Sequence, residues 1–331
     1  MHVRTKGILG GQNLKRFDKL RSFLLTKLKI IFNIYTAFIV LVLISTLLSE
    51  HFLTRVNIFN VLRQASALGI LSVGMTFVIL SGNGGVDLSV GTLMSLTTVL
   101  TAGIMMGNPD MILQSLIVVV AAGAMVGLFN GIMITRFKTD PFITTLGTMT
   151  VVQGLAMFYT KGAPFGSVTN EFRVIAQGYF GVVPVPVVIF LTVFVVSLLV
   201  LRKTVFGRYV YAVGGNQEAS RLSGIKHNRI KIAVYVISSM MAVLAGLIMV
   251  ARVSVGDPRL GYGFELNAIA ATIIGGTSFA GGVGGMSGTI VGVMIIAIMD
   301  NLLNLLNVSP FLHEVVQGLI VIGAIIMQRK K

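Results

Sequence analysis

The chain has 331 residues, of which 55% are hydrophobic and 11% charged, with a formal net charge of +15 and no cysteine. A soluble domain carries about 25% charged residues, so this composition excludes a soluble globular fold and points to a polytopic membrane protein. Disulfides and cysteine metal sites are excluded as well, and the basic charge reports membrane orientation before it reports nucleic acid, because Lys and Arg collect in cytoplasmic loops.

Residues 1–29 hold eight Lys and Arg without an apolar run and read as a basic cytoplasmic tail, not a secretory signal. Apolar runs then recur at about 30–49, 62–81, 88–106, 111–134, 142–159, 182–201, 232–251, 266–280, 286–306 and 311–327. A hydrocarbon core about 30 Å thick needs about 20 such residues per helix. The expectation is an all-α transmembrane bundle of about ten helices over 30–331. With the N-terminus inside, all of the 26 Lys and Arg fall in cytoplasmic segments except Arg55, Arg63, Lys161, Arg173, Arg252 and Arg259. The reversed topology would invert that ratio, so both termini are expected in the cytoplasm.

Two segments interrupt the apolar pattern with glycine: LSGNGGVDLSVG at 80–91, containing Asp87, Ser89 and Gly91, and IGGTSFAGGVGGMSG at 274–288, containing Gly275 and Gly276. Each reads either as a tight loop or as a broken, re-entrant helix pair. Their placement in the first and last thirds of the chain hints at an internal repeat of the kind transporters use. On the outer side the sizeable loops are 160–181 and 252–267. With so little protein outside, a solute must bind within the membrane or be delivered by another protein.

No G-x-x-x-x-G-K-[ST] loop is present, and the glycine run at 281–288 lacks the strand and downstream acid of a dinucleotide site. If ATP drives this protein, another chain binds it. Small residues at four-residue spacing, Gly123, Gly127 and Gly131, then Gly284, Gly288 and Gly292, read first as close helix packing within one subunit and second as a subunit interface. An ionised acid inside a helix costs about 3 kcal/mol or more, so Asp300 in IIAIMDNLLNLL stands out. With Asn301, Asn304 and Gln153 it is a candidate for a polar path; the rival reading is a helix-end carboxylate in contact with headgroup water. Asp87 reads as an acceptor for free N–H groups at a helix start, with Ser89 and Thr92 assisting. The four His are scattered, and no constellation of paired acids or Ser/His/Asp supports an enzyme.

The stretch 202–231 is the polar, basic exception on the cytoplasmic side. Gly214, Gly215 and Asn216 are expected to turn the chain, Asn216 to cap a short helix over 217–223, Glu218 to sit in its first turn, and Gly224 to end it in a left-handed conformation. A helix so short needs a partner surface.

GMTFVILSGNGGVDLSVG, YAVGGNQEASRLSGI and AIAATIIGGTSFAGGVGG resemble the permease subunits of bacterial ABC sugar importers of the ribose type, from about Phe52 to the C-terminus. The resemblance implies that Glu218, Ala219, Ser220, Arg221, Leu222 and Gly224, with Gly215 and Asn216, form the coupling helix that docks on the ATP-binding subunit. It further implies a permease homodimer in the bacterial inner membrane, ATP and magnesium held by the partner ATPase and none by this chain, and an extracytoplasmic solute-binding protein that delivers the sugar. Ribose is the first expectation; related permeases carry other pentoses, hexoses, a furanosyl signalling molecule or nucleosides. Two departures stand: the I-x-L-P ending of the broader importer loop is absent, and Asn83 is inserted relative to the usual SGGIDLSVG. The alternatives from other classes are an ion-coupled secondary transporter using Asp300 and a non-transporting scaffold.

Overall fold

The computed structural model describes residues 34–329; the basic tail 1–29 and the last two lysines lie outside them. The described chain is helical apart from turns and one small hairpin. The helices are α1 (Ile34–Leu48), α2 (Arg55–Leu80), α3 (Ser89–Met105), α4 (Ile112–Arg136), α5 (Pro141–Thr160), α6 (Asn170–Gln177), α7 (Val185–Lys203), α8 (Val205–Gly215), α9 (Gln217–Leu222), α10 (His227–Val253), α11 (Phe264–Ile274), α12 (Met286–Leu305) and α13 (Pro310–Arg329). The hairpin pairs β1 (Tyr179–Phe180) with β2 (Val183–Pro184).

Local chemistry explains the helix starts. Thr54 accepts from the Asn57 N–H at the head of α2, and Asp140 accepts from Phe142 and Ile143 at the head of α5, with Pro141 in the first helical position, where a missing N–H costs nothing. Among the described residues, six elements are long and apolar enough to cross a membrane: α2, α4 with its 3₁₀ lead-in, α5, α7, α10 and α12. This supports an all-α polytopic fold. The expected span at 266–280 differs: α11 has only 11 residues, about 16 Å at the α-helical rise, and cannot cross alone. The glycine-rich stretches resolve as turns, 81–88 between α2 and α3 and 275–285 between α11 and α12.

Burial separates a centre from a rim. Of the most apolar stretch of α2, 83% is buried, against 61% for α10 and 22% for α4. So α2 is a central post, packed by α7, α10, α11 and α12. In lipid, apolar character no longer says which face points inward, and close approach of small residues does. Gly127 and Gly131 show this: a Cβ on Gly127 would lie 2.7 Å from the Val236 Cα, and one on Gly131 2.8 Å from the Ile232 Cα, both of α10. The first glycine series therefore packs α4 on α10 within one subunit. The second is not a single helix stripe, because Gly284 lies in the turn before α12 with φ +121°; Gly288 and Gly292 seat α12 against the backbone of α11.

At one end of the bundle the 252–263 stretch descends beside α3. Asp257 exchanges backbone hydrogen bonds with the Thr98 hydroxyl (3.1 and 3.2 Å), and the Gly261 N–H donates to Ser95 Oγ (2.8 Å). At that same end the 160–181 stretch folds over α3, with the Ser167 N–H donating to the Ala102 carbonyl and Phe165 bridging to Gly256.

Candidate functional site

The polar stretch 202–231 builds α8 and α9. The expected turn at Gly214 and Gly215 is not there: α8 continues through Gly215, and the chain breaks at Asn216, whose backbone is extended (φ −159°, ψ 103°). The missing Cβ of Gly214 serves close approach instead, since a Cβ there would overlap the Leu80 carbonyl oxygen and lie 2.7 Å from the Gly282 nitrogen. Asn216 then caps α9, its Oδ1 accepting from the Ala219 N–H at 2.9 Å. Glu218 meets Arg221 across one turn with two hydrogen bonds, 2.6 and 3.1 Å. The Arg221 guanidinium holds the Glu218 carboxyl below its ordinary value. Both side chains are open to solvent, so this pair fixes local shape more than stability. Ser220 faces inward while Leu222 is 77% exposed, and Gly224 adopts φ +79°, reversing the chain toward α10. The surface of α9 is thus a small rigid knob with an apolar tip and a charge pair.

The two interrupted motifs meet the end of α8 just before this knob. Gly82 of the 81–88 turn and Gly281 of the 275–285 turn both pack on Gly214. The Gly282 N–H donates to the Leu80 carbonyl at 3.0 Å, the Tyr211 hydroxyl donates to the Gly284 carbonyl at 3.0 Å, and the Asn83 amide donates to Gln217 Oε1.

Asp87 is fully buried and does more than cap. Its Oδ1 accepts from both the N–H (3.1 Å) and the hydroxyl (2.5 Å) of Ser89. Ser89 Oγ accepts from the Asn130 amide of α4 (3.0 Å), whose Oδ1 accepts from Thr148 of α5 (2.6 Å). The Tyr235 hydroxyl of α10 donates to the Val86 carbonyl at 3.2 Å. Asp87 Oδ2 and the neighbouring Ser238 hydroxyl are both buried without a hydrogen-bond partner. This chain of polar groups ties the head of α3 to α4 and α5. Thr92 takes no part, donating to the Ser89 carbonyl. Gly91, one turn on, leaves room for Glu265 of α11: a Cβ there would collide with Glu265 Oε2. Gly275 packs on Gly288, and Gly276 carries φ +84° in the turn that follows.

The candidate path residues occupy separate contacts. Asp300 Oδ1 accepts from Gln317 of α13 at 3.1 Å, and Asn304 donates to the Asp300 carbonyl at 2.8 Å. Asn301 forms a reciprocal amide pair with Asn57 of α2, 2.9 and 2.7 Å. Gln153 of α5 donates to the Pro258 carbonyl at 2.9 Å. Asp300 and Asn301 clasp α12 to its neighbours, and Gln153 holds the descending 252–263 stretch. Sequence reasoning missed Asn57, Asn130, Thr148 and Glu265. Polar identity inside an apolar run was their available signal, whereas their partners lie as far as 244 positions away.

Comparison with known proteins agrees with this geometry. Residues 57–325 match the family described as branched-chain amino acid transport system / permease component. The ribose import permease protein RbsC of Bacillus subtilis (strain 168) is 43% identical over 88% of this chain and 90% of its own length. RbsC of Escherichia coli (strain K12) is 42% identical over 89% and 92%. The L-arabinose transport system permease protein AraH of Escherichia coli (strain K12) is 34% identical over 91% and 90%. No solved structure matches. The chain belongs to this family of transport-system permease components, and is a multi-pass membrane protein of the bacterial inner membrane.

Proposed function

We propose that this chain is the membrane-spanning permease subunit of an ATP-driven sugar importer whose substrate is a pentose, ribose first. It is a transport subunit, not an enzyme. ATP and magnesium are held by a separate ATPase, and an extracytoplasmic binding protein delivers the sugar. Two copies of the permease form the pathway, with both termini and α9 on the cytoplasmic side. The support is the permease family, the ribose and arabinose permeases among its relatives, and one observation of geometry. That observation is α9, a capped, solvent-exposed knob with an exposed apolar tip, Leu222, which follows directly on the end of α8 where both glycine-rich turns pack.

Nucleotide binding can drive transport only if it favours one arrangement of the bundle over another, and α9 is the element through which the ATPase exerts that preference. Asp300 is engaged by Gln317 and has no Lys or Arg ion-pair partner among the described residues, and the relatives named above are permeases of sugar import systems, which favours the ATP-driven reading over the ion-coupled one.

The test is uptake of labelled ribose and arabinose into proteoliposomes holding the permease, its ATPase and its binding protein. Uptake should require ATP and the ATPase and survive an ionophore. Glu218→Lys or Gly224→Pro should abolish it while membrane levels stay normal; proline cannot adopt the φ of +79° found there. Uptake that persists without the ATPase refutes the reading.

A further inference from the structure

Four glycines from three distant parts of the chain meet with no side chain between them. Gly214 lies in the last turn of α8; Gly82 lies in the α2–α3 turn; Gly281 and Gly282 lie in the α11–α12 turn. A Cβ on Gly82 would stand 2.7 Å from the Gly214 Cα, one on Gly281 would stand 2.8 Å from the Gly214 carbonyl oxygen, and one on Gly282 would stand 2.6 Å from the Gly215 Cα. The Gly282-to-Leu80 backbone hydrogen bond closes the contact between the two turns. Asn83 adopts a left-handed backbone (φ +58°) and joins Gln217, the first residue of α9, by a side-chain hydrogen bond. Asn83 also lies where this turn is two residues longer than the motif it resembles.

We propose that the corner from the end of α8 into α9, the α2–α3 turn and the α11–α12 turn form one rigid joint that moves as a unit, with Asn83 and Gln217 as positioning residues. Packed backbone shifts between discrete arrangements and does not compress. Flexible side chains would absorb a displacement of α9, whereas carbonyls and Cα atoms in direct contact pass it on. A six-residue helix cannot hold its own place in water, so α9 takes its position from α8 and from this joint. A push on α9 therefore reaches α2, α3, α11 and α12 together, without a loop acting as slack. This deepens, and rests on, the reading of α9 as the surface engaged by the ATPase.

The chain has no cysteine, so the joint can be probed directly. In Asn83→Cys/Gln217→Cys the two thiols would be farther apart than a disulfide spans, because two amide side chains separate the backbones. A short bis-thiosulfonate reagent, releasable by reductant, fits instead. In the proteoliposome assay, with whichever of ribose or arabinose the unsubstituted protein carries, linking should occur in most molecules and leave more than half of the uptake of the unlinked double variant. Failure to link, or linking that removes more than half of uptake and is reversed by reductant, overturns the proposal. Gly214→Val, which wedges the joint apart, should keep ATPase binding and ATP turnover but cut uptake at least tenfold; undiminished uptake also overturns it. Absence of ATP-dependent uptake by the unsubstituted protein would strike the permease reading instead, and linking in membranes would still report whether the joint exists.

Discussion

Replacing Asp87 separates two roles a buried carboxylate can have: acceptor of hydrogen bonds, or carrier of charge. Only Oδ1 is engaged, by the N–H and hydroxyl of Ser89, while Oδ2 is unpartnered beside Ser238. Asp87→Asn keeps the engaged oxygen and puts an amide where it can donate to the Ser238 hydroxyl. It should leave thermal stability in detergent within about 0.5 kcal/mol, the scale of an average hydrogen bond in a membrane interior. Asp87→Ala strands two buried donors, at about 1–3 kcal/mol each. Because the Ser89 hydroxyl can rotate to another acceptor, the total should be nearer 2–4 kcal/mol, a large part of the margin of a typical fold. It should also loosen α4 and α5, which reach α3 through Asn130 and Thr148. The assay is the temperature at which a fluorescent fusion loses its monodisperse elution peak, scored for both variants and for Asn130→Leu. Equal damage from Asp87→Asn and Asp87→Ala would refute the acceptor role and return charge to the centre of the bundle.

Gly127→Ala should cost about 1–3 kcal/mol by overpacking α4 on α10, whereas Gly147→Ala, where nothing lies within 4 Å, should be neutral or stabilising by a few tenths to about 1 kcal/mol; the same thermal assay compares them. Asn301→Leu should destabilise by about 1–2 kcal/mol because it leaves Asn57 without its reciprocal partner, and the double variant with Asn57→Leu should be less damaged than the sum of the singles, a cycle that measures coupling across α2 and α12. Leu222→Glu should leave membrane level and thermal stability unchanged, since the side chain is exposed. It should weaken capture of the ATPase about tenfold or more, the loss expected when a leucine no longer finds an apolar pocket; pull-down from solubilised membranes checks this.

Much of this architecture could be read before any coordinates. A helix at each apolar run followed from length and hydropathy, and α9 followed from Asn216, Glu218 and Gly224, because caps and left-handed terminators act within a few residues. What could not be read depends on pairing across the chain. Gly214 looked like a turn residue, yet it is a contact residue inside a helix, and the difference resides in Leu80 and Gly282. Asp300 looked like part of a path, and its hydrogen bond from Gln317 of α13, 17 positions on, could not be read from the sequence. In a bilayer the usual contrast between an apolar inner face and a polar outer face is lost, so periodicity does not tell which helix faces which. The shortness of α11 was partly legible, since the glycine-rich segment that interrupts the apolar pattern from 274 is where the helix ends and the backbone turns at Gly276.

Between α10 and α11 the 254–263 stretch leaves peptide groups outside any helix beside α3, where lipid offers nothing to bond them. Ser95 and Thr98 stand in for water there. A rotation or slide of α3 that left this stretch behind would bare those groups to hydrocarbon. In any switch between outward and inward access, α3 and its dangling companion must therefore travel as one passenger, and the gap that admits the solute has to open along some other seam.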